Sequence, residues 1–285
     1  MRDSVDALPP LRDVIAAYDL GARKSLGQHF LLDLNLTAKI ARAAGTLNEG
    51  TIIEIGPGPG GLTRALLSEG ATKVIAVERD PRCIAALSGL HDAAAGRLEI
   101  RQADARDVDV SRMGIEPRKI VANLPYNVGT PLLIGWLSQA SCFERMILMF
   151  QREVADRIAA QPGDAAYGRL SVIANWRCRT RKLFNVPARA FTPAPNVESA
   201  VVSLSPYAAP PHPANQRVLE RVTAAAFGQR RKMLRGALKT LPVDPLKLLE
   251  AATIDPTRRA ETLDIAEFAA LARSLERLTG PDASL

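Results

Sequence analysis

Short apolar runs alternate along the first two-thirds of the chain with stretches in which apolar positions recur every three or four residues. The first pattern is typical of buried strands, and the second is typical of helices that pack on a sheet. Strands are predicted to begin near residues 51, 73, 98, 119 and 145, with helices between them. Because strands and helices alternate, the pattern predicts an α/β fold with a mostly parallel sheet and helices on both faces.

Two later apolar runs, 182–186 and 199–204, predict strands that pair at one edge of the sheet. A proline-rich linker, 206–213, separates this region from a stretch whose pattern is entirely helical. The helices predicted in that stretch are 215–227, 229–240, 245–252 and 264–278. We therefore predict two domains, an α/β domain over 1–206 and a small all-helical domain over 207–285.

The first strand, Thr51–Ile55, runs directly into the glycine-rich turn Gly56-Pro57-Gly58-Pro59-Gly60-Gly61, and a helical pattern follows. A strand, a glycine turn and a helix in this order bring the backbone close to a nucleotide-type cofactor. The second strand ends at Glu78, and Asp104 follows the third strand. Since ligands bind outside the carboxyl ends of parallel strands, the turn and the two acids are expected to face one ligand.

The glycine turn also satisfies the G-x-G-x-x-G pattern of nicotinamide-cofactor proteins. Its two prolines argue against that cofactor, because they stiffen the turn and have no N–H to donate to a pyrophosphate. The acidic residues favour S-adenosylmethionine, which carries a ribose and an adenine but no phosphate for them to repel. An alternative role for Glu78 and Asp104 is helix capping, for which Asp80 is better placed.

The fourth strand ends in Asn123-Leu124-Pro125-Tyr126. Asn123 offers a side-chain carbonyl, Leu124 offers a backbone carbonyl, and Tyr126 offers a flat ring on which a nucleobase can stack. Together they suit an adenine that has been pulled out of its stack with its N6 amino group held for reaction. We therefore predict that Asn123, Leu124 and Tyr126 are catalytic residues. An ordinary strand-to-turn connection with a buried Tyr is the alternative.

The 285 residues carry a formal net charge of +7, which favours a polyanionic partner. Basic residues cluster at 177–182 and again at 217–239, where Arg230, Arg231 and Lys232 are adjacent. A solvated helix face is the alternative for either cluster alone. Two clusters in a chain that also has a base-binding loop predict RNA contact, with binding that weakens as salt is raised.

No apolar run approaches the roughly 20 residues that span a membrane, and the first residues do not have the pattern of a signal peptide. The three cysteines and three histidines are scattered, which predicts reduced thiols and no metal site. These features predict a cytoplasmic protein without a membrane partner.

Taken together, these motifs resemble the ribosomal RNA adenine dimethyltransferase A family over residues 20–275. The segments that carry the resemblance are Arg23–Leu31, Glu54–Gly58, Asn123–Asn127, Gln151–Ala155, Tyr167–Ser171, Phe191–Pro195 and Phe227–Lys232. The resemblance implies a Rossmann-like class I methyltransferase that uses S-adenosylmethionine and releases S-adenosylhomocysteine. It implies dimethylation at N6 of two adjacent adenines near the 3′ end of small-subunit (16S) rRNA. The expected substrate is the immature 30S particle during ribosome biogenesis, and the enzyme is expected to be a monomer.

The resemblance also implies site residues. The expected cofactor contacts are His29, Leu31, Gly56, Glu78, Asp104 and Asn123. Apart from the resemblance, the aromatic residue before the proline turn and the basic cluster give the expected substrate contacts, which are Phe191, Arg230, Arg231 and Lys232. His29 departs from the family, which usually has Asn there, but a His can still make one hydrogen bond. Phe191 is expected to be a second aromatic contact to the base, with a core Phe beside a proline turn as its alternative.

Other readings remain open from sequence alone. An N6-adenine DNA methyltransferase would use a similar loop, but no long insertion interrupts the chain to form a target-recognition region. Erythromycin-resistance methyltransferases act on large-subunit rRNA, and the motifs past residue 150 fit the small-subunit family better. A non-catalytic ribosome assembly factor, or a transcription factor on the same scaffold, is the non-enzymatic alternative. The intact set of Glu78, Asp104, Asn123 and Tyr126 argues against it.

Overall fold

The computed structural model of the chain describes residues 3–21 and 29–280. Of the family-like segment Arg23–Leu31, residues 23–28 therefore lie outside the described residues. The chain forms two compact units. The first contains the chain up to Ala155 together with Arg181–Pro206, and the second contains Asp156–Thr180 together with the chain after Pro206.

The strands in the described part of the chain are β1 (Phe30–Leu31), β2 (Thr51–Ile55), β3 (Val74–Glu78), β4 (Leu98–Gln102), β5 (Arg118–Asn123), β6 (Arg145–Gln151), β7 (Cys178–Val186), β8 (Phe191–Thr192) and β9 (Ser199–Pro206). Seven of them form one sheet in the order β4-β3-β2-β5-β6-β9-β7. The strands from β4 to β6 in this order are parallel neighbours, whereas β9 is antiparallel to β6. The mostly parallel sheet predicted from the alternating pattern is confirmed.

Helices pack on the central strands and bury them. All five residues of β2 and all five of β3 are buried, which explains why their sequences are continuous apolar runs rather than alternating ones. The helices that the structure describes up to the end of β6 are α1 (Asp3–Asp6), α2 (Leu11–Ala17), α3 (Leu34–Ala43), α4 (Gly61–Ser68), α5 (Pro81–Ala86), α6 (Ser88–Ala93) and α7 (Gly129–Ser138). The next helix, α8 (Arg152–Ala159), follows β6 directly.

A short two-stranded ribbon joins distant parts of the first unit. Strand β1 pairs antiparallel with β8, with Phe30 opposite Thr192 and Leu31 opposite Phe191. Asp33 then starts α3 by accepting hydrogen bonds from the N–H groups of the first turn. The ribbon therefore fixes the backbone at residues 29–31 close to the carboxyl ends of the sheet strands.

The second unit is helical, with α9 (Arg169–Arg177), α10 (Gln216–Gly228), α11 (Leu234–Ala237), α12 (Pro245–Ala251) and α13 (Ile265–Thr279). The predicted division at residue 206 differs from the observed one, because Asp156–Thr180 packs with the second unit. Within this segment the fully buried Tyr167 donates a hydrogen bond from its hydroxyl to the Leu263 carbonyl, at 3.0 Å. Its ring also meets Phe227 edge-on, at 5.9 Å. Local sequence pattern carries no signal for partners so distant along the chain.

The helix predicted over 229–240 is wrong in its first half. Residues 229–232 form an exposed turn, and α11 begins at Leu234. The N–H of Leu234 donates to the Arg258 carbonyl at 2.8 Å, and that of Arg235 donates to the Pro256 carbonyl at 3.2 Å. These tertiary bonds fix the start of α11, so packing overrides the helix propensity of the preceding residues. Among the described residues, no helix combines the length and the apolar character needed to cross a membrane.

Candidate active site

One pocket lies at the carboxyl ends of β2, β3, β4 and β5, where the strand order predicts a ligand site. Every predicted cofactor and catalytic residue lines it: His29, Leu31, Gly56, Glu78, Asp104, Asn123, Leu124 and Tyr126. The sheet explains why these residues meet, since the carboxyl ends of neighbouring parallel strands lie at the same edge of the sheet. The pocket lining therefore has the backbone turn, the two acids and the Asn-Leu-Pro-Tyr loop that the sequence predicts.

The turn after β2 has a backbone that requires glycine. Gly56 has φ +69° and Gly60 has φ +92°, both in the left-handed region that disfavours other residues. A Cβ at Gly60 would also lie 2.7 Å from a methyl carbon of Leu87. The turn therefore brings bare backbone to the pocket wall, as a closely held ligand needs.

Five of the six positions of this turn have no N–H available to a pyrophosphate, since the N–H groups of Gly56 and Gly60 donate to backbone carbonyls. Pro57 and Pro59 have none, and the N–H of Gly58 donates to a carboxylate oxygen of Glu78, at 3.1 Å. A third acid, Glu54, also lines the pocket. These features fit a ligand that has ribose hydroxyls and positive charge, as S-adenosylmethionine does. They do not fit a dinucleotide pyrophosphate, so the nicotinamide reading of the glycine pattern is not supported.

Glu78 organises the backbone around it. Its carboxylate accepts hydrogen bonds from the N–H groups of Gly58 at 3.1 Å, Arg79 at 2.7 Å and Asp80 at 2.8 Å. Asp80 caps α5 by accepting from the N–H of Arg82, at 3.1 Å. The capping role that was the alternative for Glu78 therefore belongs to Asp80. Glu78 connects the glycine turn to the end of β3 at the pocket wall.

Asp104 lines the pocket just after β4. Arg106 donates to its carboxylate from its side chain, at 2.8 and 3.0 Å, and from its backbone N–H, at 3.0 Å. Arg79 adds a contact at 3.1 Å. These bonds hold the pKa of the Asp104 carboxyl well below its usual range. Asp104 is therefore a fixed, ionised acceptor at neutral pH.

The side chain of Asn123 is oriented by the ribbon. Its Nδ2 donates to the backbone carbonyl of His29, at 3.2 Å. The amide is thereby held with Oδ1 as its remaining acceptor, since a carboxamide has one carbonyl and one amino group. The contact of His29 with Asn123 is made by the backbone, so it does not depend on which side chain stands at position 29.

Tyr126 is held from two sides. Its hydroxyl lies 2.7 Å from the Oγ of Ser199. Its ring stacks on that of His29, with centroids 5.6 Å apart and an interplanar angle of 29°. The His29 Nδ1 in turn lies 2.8 Å from the carbonyl oxygen of Pro193. The alternative was an ordinary strand-to-turn connection with a buried Tyr. It does not describe Tyr126, which is partly exposed at the pocket.

The predicted substrate contacts, Phe191 and the basic cluster, do not line this pocket. Phe191 is only 4% exposed and packs in the hydrophobic core of the first unit, so the structure does not support it as a contact to the base. Its partner in the ribbon, Leu31, lies in the same core. Arg230, Arg231 and Lys232 lie in the exposed turn of the second unit, where Arg230 donates to the Ala165 carbonyl. Their exposure leaves these side chains accessible to a polyanion.

Glu54 is a pocket residue that sequence reasoning missed. It lies on β2, is 1% exposed, and its Oε2 has no hydrogen-bond partner among the described residues. Burial, opposed by Thr63 and reinforced by the charge of Glu78, raises the pKa of Glu54 to about 8. The signal was an acid inside an otherwise apolar strand directly before the glycine turn. A buried carboxyl without a partner is costly unless a ligand group pairs with it.

Replacement of Glu54 by Gln is expected to flatten the pH dependence of stability. The folded pKa of about 8 exceeds the ordinary value of 4.5, so the neutral form stabilises the folded state. That contribution is present in full below the unfolded pKa and is lost as the pH rises through the folded one. Urea unfolding of the ligand-free protein between about pH 5 and pH 9 measures it. Parallel pH curves for the wild type and Glu54→Gln would contradict this assignment.

The doubly wound sheet, the glycine turn after β2 and an acid at the end of β3 define the class I S-adenosylmethionine-dependent methyltransferases. Residues 20–277 match the model of the family described as "Ribosomal RNA adenine dimethylase". The chain belongs to this family. The described pocket, with Asn-Leu-Pro-Tyr at the end of β5, is in agreement with that membership.

Relatives with high identity carry one name. The "Ribosomal RNA small subunit methyltransferase A" of Rhodospirillum rubrum is 60% identical over 271 residues, which cover 95% of this chain and 94% of the relative. That of Paramagnetospirillum magneticum is 62% identical over 272 residues, which cover 95% and 96%.

Solved structures are similar over most of the chain. A dimethyladenosine transferase from Plasmodium falciparum superposes with a TM-score of 0.76 at 27% identity, covering 87% of this chain and 98% of the other. The 23S rRNA methyltransferase ErmE superposes with a TM-score of 0.68 at 24% identity, covering 87% and 99%. The likeness to ErmE shows a shared fold.

Proposed function

We propose that this protein transfers methyl groups from S-adenosylmethionine to N6 of two adjacent adenines near the 3′ end of small-subunit (16S) rRNA. The product is N6,N6-dimethyladenosine, formed during small-subunit biogenesis. Family membership and relatives near 60% identity that are named for the small subunit support this substrate. They favour it over large-subunit rRNA and over DNA.

The observation that carries the proposal is the orientation of Asn123. With Nδ2 bonded to the His29 carbonyl, its Oδ1 is the acceptor available to a ligand. The backbone carbonyl of Leu124, in the same loop, supplies a second acceptor at the pocket. Two acceptors suit the two hydrogens of an adenine N6, and this pairing would draw the nitrogen toward tetrahedral geometry.

The residues that hold the cofactor are proposed from the pocket lining. Glu78 would accept hydrogen bonds from the ribose hydroxyls, Asp104 would accept one from the adenine amino group, and the backbone at Gly56 would allow close approach. Glu54 is suited to a positively charged group of the cofactor, because its free oxygen is buried. When bound, S-adenosylmethionine supplies a methyl group on a sulfonium, which is a good leaving group.

The protein then contributes position and electrostatics. Asn123 and Leu124 would stabilise positive charge as it develops on N6, because carbonyl oxygens that accept the two N6 hydrogens present the negative ends of their dipoles to that nitrogen. Tyr126 would stack on one face of the extruded adenine, a contact worth roughly 1–3 kcal/mol for a base on an aromatic ring. The proton that N6 loses can pass to water, so no strong general base is required.

The second unit is proposed to help hold the RNA. Arg230, Arg231 and Lys232 are adjacent in an exposed turn, where cations can reach phosphates. The remaining parts of the proposal are action on the immature 30S particle, in the cytoplasm, as a monomer and without a metal. These parts rest on the family resemblance and on the sulfonium chemistry.

The test is transfer of labelled methyl groups from S-adenosylmethionine to immature small subunits and to naked rRNA, followed by nucleoside analysis. We expect N6,N6-dimethyladenosine on the subunit. Salt-sensitive binding to the subunit without methylation would instead indicate a non-catalytic assembly factor. Methylation of large-subunit rRNA or duplex DNA, with small subunits left unmodified, would overturn the proposed substrate.

A further inference from the structure

The hydroxyl of Tyr126 makes a contact that the reaction does not require. Tyr126 lies in the loop after β5, and its hydroxyl is 2.7 Å from the Oγ of Ser199. Either hydroxyl can donate, and burial raises the pKa of Tyr126, so its hydroxyl stays protonated. The two residues are 73 positions apart in the chain. The bond therefore connects the base-binding loop to a separate strand.

Ser199 is a rigid anchor for this bond. It is fully buried at the first position of β9, where it pairs in register with Gln151 of β6. The N–H of Arg152 donates to the carbonyl of Glu198, the preceding residue, at 2.8 Å. The backbone on which Ser199 stands is thus fixed by the sheet. A loop residue that is hydrogen-bonded to Ser199 is therefore held in a fixed position.

The order of the Tyr126 ring matters because the ring must lie in one fixed orientation to stack on the target adenine. A loop tyrosine that is free to rotate loses side-chain entropy when a base binds, and that loss opposes binding. A ring already held in place has less to lose. The His29 ring, 5.6 Å from that of Tyr126, adds a second restraint on the same side chain.

We propose that Ser199 is a positioning residue for methyl transfer, holding Tyr126 in the orientation in which it stacks on the target adenine. Ser199 acts on the base through Tyr126 and does not contact the reacting atoms. The inference rests on the proposed function, since it assumes that Tyr126 binds the base.

The test is a double-mutant cycle with Ser199→Ala, Tyr126→Phe and the double variant. Each single variant is expected to lower kcat/KM for the RNA roughly three- to tenfold, the size expected for one hydrogen bond. The dissociation constant for S-adenosylmethionine is expected to stay unchanged. The double variant is expected to be no slower than either single one, because both changes break the same bond. It also leaves no buried hydroxyl without its partner, so it should fold at least as well as the single variants.

Thr37→Val is the matched control. Thr37 is fully buried in α3 and donates its hydroxyl to the Leu34 carbonyl, outside the pocket lining. This variant should lower the melting temperature without changing kcat/KM for the RNA.

Two outcomes would overturn the positioning role while wild-type methylation still supported the proposed function. One is a double variant whose loss of kcat/KM equals the product of the two single losses, and the other is a Ser199→Ala variant with unchanged kcat/KM. A wild-type protein that methylates no RNA would instead overturn the proposed function itself.

Discussion

Replacing Asn123 by Ala is expected to lower the turnover number by roughly 10²–10³-fold, the cost of removing a group that stabilises developing charge. The Oδ1 acceptor would be lost, and N6 of adenine, whose lone pair is delocalised into the ring, would no longer be drawn toward tetrahedral geometry. Binding of S-adenosylmethionine should weaken far less, because Glu78 and Asp104 do not depend on the Asn123 side chain. Single-turnover methylation at saturating cofactor, together with calorimetric cofactor titration, measures both effects.

The structure adds a reason to include a second variant. Nδ2 of Asn123 also holds the His29 carbonyl, so Ala removes an anchor of the ribbon as well as the acceptor. Asn123→Asp keeps an acceptor oxygen but loses this donor, and it should therefore retain more turnover than Ala at saturating cofactor. Asn35→Ala, at an exposed position on α3, is the control for removal of an amide. Near-normal methylation by Asn123→Ala would remove Asn123 from the mechanism.

The sequence predicted which cofactor and catalytic residues meet at this pocket, because most of them stand at the ends of neighbouring strands. Gly56, Glu78 and Asn123 each stand at or just after the end of a strand, and parallel pairing brings strand ends together. The alternation of predicted strands and helices is sufficient to predict that geometry without any knowledge of side-chain packing. The same logic identified Asp80, beside Pro81, as the helix cap, which the structure confirms.

What the sequence did not predict depends on contacts between distant segments. Phe191 precedes a proline turn, and only its pairing with Leu31 shows that its ring enters the core. Tyr167 joins the second unit through a carbonyl 96 positions away. The Ser199 contact with Tyr126 spans 73 positions. None of these has a periodic signature, because a single long-range contact leaves no pattern in the neighbouring residues.

Glu78→Ala is expected to weaken S-adenosylmethionine binding by roughly a hundredfold or more, if two ribose hydroxyls each lose a bond to a charged acceptor. The structure predicts a second effect. Three backbone N–H groups, those of Gly58, Arg79 and Asp80, lose their acceptor in this variant. The melting temperature should therefore fall as well, and the glycine turn should no longer be held against the end of β3. Cofactor titration must be made well below the lowered melting temperature.

A stability-matched control separates the two effects of Glu78→Ala. Asp244 accepts hydrogen bonds from the N–H groups of Leu246 at 2.8 Å and Lys247 at 3.0 Å, in the second unit and outside the pocket lining. Asp244→Ala should lower the melting temperature while leaving the dissociation constant for S-adenosylmethionine unchanged. If Glu78→Ala behaved in the same way, Glu78 would be a structural acceptor of backbone N–H groups alone. Because its carboxylate already accepts three backbone bonds, loss of affinity alone does not assign Glu78 to the ribose. The result that does so is a folded Glu78→Ala variant in which a cofactor analogue without a ribose hydroxyl binds no more weakly than the complete cofactor, whereas the wild type discriminates between the two.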